Sequence, residues 1–173
     1  MNDKKANVEF LTIGGIEPES IVDGPGFRYT VFVQGCEFRC PGCHNPRLQG
    51  FAGGRRMAVT EITAAVKGNP LLAGITLSGG DPFTQAGPCA ALAEQVRALG
   101  LSVMIYTGYL WENLLAADRP EWRRLIEAAD ILVDGPFIQA QKNIDLRFRG
   151  SANQRLIDVP RSFAAGRTIL LPD

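Results

Sequence analysis

Apolar positions along this chain fall into short, regularly spaced runs. "VEFLTI" (8–13) and "FRYTVFVQG" (27–35) are rich in β-branched and aromatic residues and read as strands, the second closed by Gly35. Between them, "IEPESIVDGPG" reads as a turn-rich connection. After "AVTEITAAVKGNP", a short helix with Thr60 as N-cap and Gly68-Asn69-Pro70 as its stop, the chain alternates. "GITLSGG" (74–80) is a strand and "AGPCAALAEQVRALG" (86–100) a helix, with Pro88 in its first turn and Gly100 as C-cap. "LSVMIYTG" (101–108) is a strand, followed by helical pieces "WENLLAAD" and "PEWRRLIEAAD" parted at Pro120. "ILVDGPF" (131–137) is a strand and "RTILLPD" predicts a last one. The helix faces carrying Trp111, Leu114 and Leu115, and Trp122 and Leu125, are core.

Alternating short strands and helices predict an α/β fold of parallel units, either an open doubly wound sheet or part of a barrel. Both architectures gather ligands at the carboxyl ends of the strands. The segments just beyond the strands are therefore informative: Cys36, Cys40 and Cys43; then Ser78-Gly79-Gly80-Asp81-Pro82; then Thr107-Gly108-Tyr109; then Asp134-Gly135-Pro136-Phe137. All four unusual segments are expected on one face, as a single site.

The 173 residues suit one domain over 1–173, with the polar first six residues loose. Eighteen basic residues balance eighteen acidic ones, so no global field points to nucleic acid or an anionic membrane. No apolar run reaches bilayer length, and the N-terminus lacks the apolar core of a signal peptide. A cytoplasmic address is expected, where thiols stay reduced; that argues against a disulfide in "QGCEFRCPGCHNPRLQG" (34–50).

Three thiols within eight positions suit a soft or borderline metal, with a redox pair and inert cysteines as the other readings. Structural zinc needs a closed set of four ligands. His44 follows Cys43 directly and is hard to aim at the same ion, while Cys89 lies on a predicted helix as a buried free thiol. An iron–sulfur cube ordinarily takes four thiolates, so three leave one iron open, the mark of a reactive centre.

"CEFRCPGC" has the C-x3-C-x2-C pattern of the radical S-adenosylmethionine enzymes, and "SGGDP" resembles their glycine-rich motif. "DGPGFRYTVFVQGC" with "CHN" is similar to the activating enzymes of glycyl radical enzymes. "LSGGDP", "YTGY", "ILVDGPF" and "RFRGSANQRLIDV" resemble those that activate anaerobic ribonucleotide reductase, whereas "CHN" alone is closer to pyruvate formate-lyase activase. The resemblance implies a partial (β/α) barrel with a [4Fe-4S] cluster on Cys36, Cys40 and Cys43 and S-adenosylmethionine against Gly42, His44, Gly79 and Gly80. It implies reductive cleavage of that cofactor and abstraction of hydrogen from a glycine of a client, anaerobic ribonucleotide reductase, with a one-electron donor such as flavodoxin. The other readings are activation of a different glycyl radical enzyme, radical chemistry on a small molecule, and a non-catalytic zinc or iron–sulfur scaffold.

Some further residues remain to be placed. Asp23 is a turn former. Tyr109 either packs on a helix or lines a nucleoside pocket. Asp134, at a strand end, is expected to face the site. Arg147, Arg149 and Arg155 surround a polar turn that is either solvated surface or, from the resemblance, a contact to the partner or the cofactor carboxylate.

Overall fold

The computed structural model describes residues 8–172; the expectation for residues 1–6 falls outside them. The first half of the chain forms β1 (Phe10–Ser20), β2 (Phe27–Val33), β3 (Arg55–Ala58), α1 (Val59–Gly68), β4 (Leu72–Gly79) and α2 (Ala86–Ala98). The second half forms β5 (Ser102–Tyr106), α3 (Trp111–Ala116), α4 (Pro120–Glu127), β6 (Ile131–Asp134), β7 (Arg155–Asp158) and α5 (Val159–Ala165). One seven-stranded sheet runs in the order β3-β1-β2-β4-β5-β6-β7. Its centre, β2-β4-β5-β6, is parallel, while β1, β3 and β7 add antiparallel flanks. The α/β class and the parallel centre agree with the alternation in the sequence. The pairing leaves the sheet open, with β3 and β7 as its edges.

Several local expectations change. β1 runs on past Ile13 through Gly14 and Gly15 to Ser20, into the segment beginning at Ile16 where a turn-rich connection was expected. Register shifts after Ile13 and Glu17 absorb those residues, as bulges do. β3 pairs only with Phe10–Ile13, so Pro18 lies beyond the stretch of β1 paired on both sides, in the irregular segment between Glu17 and Ser20. α1 starts at Val59 with Ala58, not Thr60, as N-cap. β3, β7 and α5 were not expected at all, and "RTILLPD" contributes only an isolated bridge between Leu170 and Ile157. Pro88 in the first turn of α2, Pro120 at the start of α4, and Gly100 (φ 80°) after α2 are as expected.

The two sheet faces differ in chemistry. Side chains alternate along a strand, and one set (Tyr29, Val31 and Val33, Ile75 and Leu77, Val103 and Ile105, Leu132) joins the main core with residues of the helices. The opposite set is largely polar at β2 and β4: Arg28 and Thr30, Thr76 and Ser78. On that face Met104, Val133 and Leu156 form a small second cluster. No described helix is long and apolar enough to cross a membrane.

Arg28 anchors the polar face. It is 1% exposed, and burial lowers its guanidinium to about 10. Nε donates to Thr76 Oγ1 at 3.2 Å, Nη1 to Ser102 Oγ at 2.6 Å, and Nη2 to the carbonyls of Ile75 and Ser102. One side chain thus ties β2, β4 and β5 through hydrogen bonds. Replacing Arg28 with Ala opens a cavity and leaves buried acceptors without donors. The expected cost is about 3–5 kcal/mol in the unfolding free energy, measured by urea denaturation of the reduced protein.

Candidate functional site

Four consecutive parallel strands deliver their carboxyl ends to one edge of the sheet, and a cleft of about 440 Å³ opens there. Each of the four segments expected to share a site contributes to its wall: the cysteine loop, Ser78 to Asp81, Thr107 and Gly108, and Gly135 and Phe137.

The cysteine loop leaves β2 by a fixed path. Gly35 N–H donates to the Leu48 carbonyl at 2.8 Å and Cys36 N–H to the Gln49 carbonyl at 3.0 Å. Buried Gln34 reinforces this, its Nε2 donating to the Gly50 carbonyl at 2.5 Å. Across the strand, the Gln85 amide exchanges two hydrogen bonds of 2.8 Å with the Thr12 backbone and donates a third to the Gln34 carbonyl. Arg39, between Cys36 and Cys40, takes a left-handed conformation (φ 47°) that bulky residues rarely adopt. Gly42 (φ 72°) turns the chain into Cys43.

Cys36, Cys40 and Cys43 are free, partly exposed, and all line the cleft. Burial pushes the Cys36 thiol up from its ordinary value. Asn45 N–H donates to Cys43 Sγ at 3.4 Å, the kind of contact that tunes a sulfur bound to iron. Cys89 is a separate matter: it is fully buried in the core, and burial raises its thiol far above the usual range. Among the described residues no three Cys, His, Asp or Glu side chains converge to hold a single metal ion. Three thiols on one loop, facing one cleft, are a donor set that suits an iron–sulfur cube, in which each thiolate meets a different iron.

The glycine-rich turn after β4 lies directly against this loop. Gly80 N–H donates to the Val33 carbonyl at 2.7 Å and Asp81 N–H to the Gly35 carbonyl at 2.8 Å. A Cβ at Gly80 would fall 2.1 Å from the Gly35 oxygen, so only glycine permits the approach. Gly79 and Gly80 line the cleft as expected; Gly42 does not, and a Cβ there would meet Gln139. His44 lines the cleft with its ring 5.1 Å from that of Phe137.

Asp81 has a larger role than a turn residue's. It is 1% exposed and accepts from Phe83 N–H (3.0 Å), Gly108 N–H (2.9 Å) and Thr107 Oγ1 (3.0 Å). Its carboxylate fastens the turn after β4 to the turn after β5. Burial, opposed by those hydrogen bonds, raises it to about 6.

Asp134 does not face the cleft. Its carboxylate accepts from Trp111 N–H at 2.8 Å, at the start of α3, and from Arg155, which also pairs with Glu112. Tyr109 takes the packing role: its ring sits 4.6 Å from Trp122 and 4.7 Å from Phe38, and its hydroxyl donates to Glu37. Asp23 is more than a turn former, since it lines the cleft and accepts from Ser20 Oγ at 2.6 Å and Thr30 Oγ1 at 3.1 Å. The polar turn is not loose surface. Gln154 Oε1 accepts from Gly150 N–H and its Nε2 donates to the Gly135 carbonyl, while Asn153 donates to the Pro136 carbonyl. That clamp presents Arg149 and Phe148 (φ 54°) to the cleft, whereas Arg147 lies over the Phe148 ring.

The family described as a 4Fe-4S single cluster domain matches residues 22–157. The chain belongs to that family. It is also 35% identical over 145 residues to the anaerobic ribonucleoside-triphosphate reductase-activating protein of Salmonella typhimurium, covering 79% of this chain and 92% of that one. The protein of the same name from Vibrio cholerae is 37% identical over 142 residues, covering 79% and 91%. That of enterobacteria phage T4 is 29% identical over 149 residues, covering 82% and 90%. Among solved structures, QueE from Escherichia coli aligns with 72% of this chain and 70% of its own at 13% identity, with a TM-score of 0.46, too loose a likeness to carry residue correspondences.

Two outcomes test the anchoring of this site. Gln34→Ala removes the donor to the Gly50 carbonyl; the expected results are a loss of about 1–3 kcal/mol in denaturant titration and faster loss of iron to a chelator. For Asp81, the folded value near 6 lies above the value of about 3.9 in an unfolded chain. The folded state therefore holds the proton more tightly, and this contribution to stability, full below about pH 4, is lost as pH rises through 6. Between pH 4 and 7, the stability of Asp81→Asn relative to the unsubstituted protein is expected to rise by about 2 kcal/mol.

Proposed function

We propose that this protein activates anaerobic ribonucleoside-triphosphate reductase as a radical S-adenosylmethionine enzyme, acting in the cytoplasm as one domain over residues 1–173. The observation that carries this reading is the meeting of three free thiols and the Gly79-Gly80 backbone in one cleft. Relatives bearing the activating-protein name, matched over about nine-tenths of their own length, support the choice of client. The open sheet, with helices on one face and the cleft at its strand ends, is what a partial (β/α) barrel would require.

In this reading Cys36, Cys40 and Cys43 would hold a [4Fe-4S] cluster, three thiolates for its four irons. S-adenosylmethionine lies against His44, Gly79 and Gly80, with Gly42 acting through the turn that aims Cys43. When bound, the reduced cluster and S-adenosylmethionine would supply radical chemistry toward a backbone glycine of the client. An electron from a donor such as flavodoxin would cleave the cofactor's sulfur–carbon bond, methionine would leave, and the glycine's hydrogen atom would pass to the 5′-deoxyadenosyl group. The protein's own work is orientation and shielding. Gly80 keeps the turn after β4 against the cysteine loop, Asp81 locks that turn to Gly108, and the His44–Phe137 pair walls one side. Arg149 at the rim is placed to meet a carboxylate of the cofactor or of the client.

The test mixes the anaerobically reconstituted, reduced protein and S-adenosylmethionine with the anaerobic reductase and records electron paramagnetic resonance. A glycyl doublet is expected, absent with Cys43→Ala, whose iron content also falls. A doublet on pyruvate formate-lyase but not on the reductase would move the assignment to that client. Tetrahedral zinc in place of iron would end the radical reading.

A further inference from the structure

A second hollow, of about 370 Å³, adjoins the cleft and has no part in the chemistry above. Gly14 and Gly15 of β1, Phe32, Pro46 and Leu48 line it. His44 and Phe32 line both spaces, so the two share a wall. Gly15 leaves this space open, whereas a Cβ at Gly14 would fall 2.1 Å from Leu48 Cδ2. Gly15 pairs with Phe32, and directly opposed residues of an antiparallel pair project from the same face. A Cβ at Gly15 would meet nothing within 4 Å. Asn45 and Arg47 also line this space, but its walls are chiefly apolar.

We propose that this hollow is a specificity subsite, taking an apolar side chain next to the glycine that the client presents to the cleft. The inference rests on the activation reading. A glycine offers no side chain to recognise, so an enzyme that attacks one must choose its client by the neighbouring residues. Those neighbours lie about 3.8 Å away from Cα to Cα, so the side chains flanking a glycine seated in the cleft fall within reach of its walls. The wall shared through His44 and Phe32 has an apolar space immediately behind it.

Gly15→Leu fills the hollow where there is room for the added atoms, and Gly15→Ala fills it in part. Two readouts separate the possibilities: reductive cleavage of S-adenosylmethionine by dithionite without client, and the glycyl doublet as a function of client concentration. Gly15→Leu is expected to cleave the cofactor at the unsubstituted rate yet to need about tenfold more client or beyond, with Gly15→Ala intermediate. A client whose apolar residues flanking the glycine are replaced by Ala should be activated poorly by the unsubstituted protein and no worse by Gly15→Leu. Normal client dependence in Gly15→Leu would overturn the proposal. So would a parallel loss of cofactor cleavage in both variants, since the hollow would then serve the cofactor or the fold. Failure of the unsubstituted protein to cleave the cofactor at all would instead refute the activation reading beneath it.

Discussion

A parallel sheet ordinarily needs cover on both faces, and the rest of this molecule depends on covering only one of them with helices. The apolar side chains of β2, β4, β5 and β6 on one face meet the helices in a continuous core. On the other face Arg28, Thr30 and Thr76 are buried and satisfy each other or nearby groups, and Asp23 closes over them. A cleft at the strand ends is what remains when that polar face is not filled. Helix-side packing supplies the rigidity, and the opposite side supplies the space.

Backbone rather than side chains forms much of the cleft wall, which raises the question of what holds backbone still. Amides and one carboxylate do so. Gln34 and Gln85 grip the exit of β2, Gln154 and Asn153 grip the exit of β6, and Asp81 joins the exits of β4 and β5. Each replaces ladder hydrogen bonds that end where the strands end. Buried polar groups of this kind fix one arrangement because leaving any of them unpaired is costly.

How much of the fold and site was legible in the sequence depended on whether the signal was local. The strand-then-motif order placed four loops on one edge, because parallel connectivity allows no other arrangement of the strand ends. The cysteine spacing was legible because all three thiols sit on one short loop. Asp134 was misread because its facing is a matter of parity: it lies two residues beyond Leu132, a helix-side position, and so points toward α3 instead of the cleft. β3 and β7, each four residues long and half polar or charged, exist through pairing with β1 and β6 and carry little periodicity of their own. The bridging role of Asp81 was not legible because the partners that bury it, Thr107 and Gly108, lie far along the chain.

The unpaired stretch of β1 has one more consequence. Beyond Ile13 no strand among the described residues covers its outer side, and such an edge invites intermolecular strand addition. Glu17, Pro18 and Glu19 stand there: two like charges that repel a neighbouring copy, and all three positions are exposed, the proline with a ring that cannot donate to it. The same short run that bends the strand also acts as a gatekeeper, keeping a half-open sheet from polymerising through its rim.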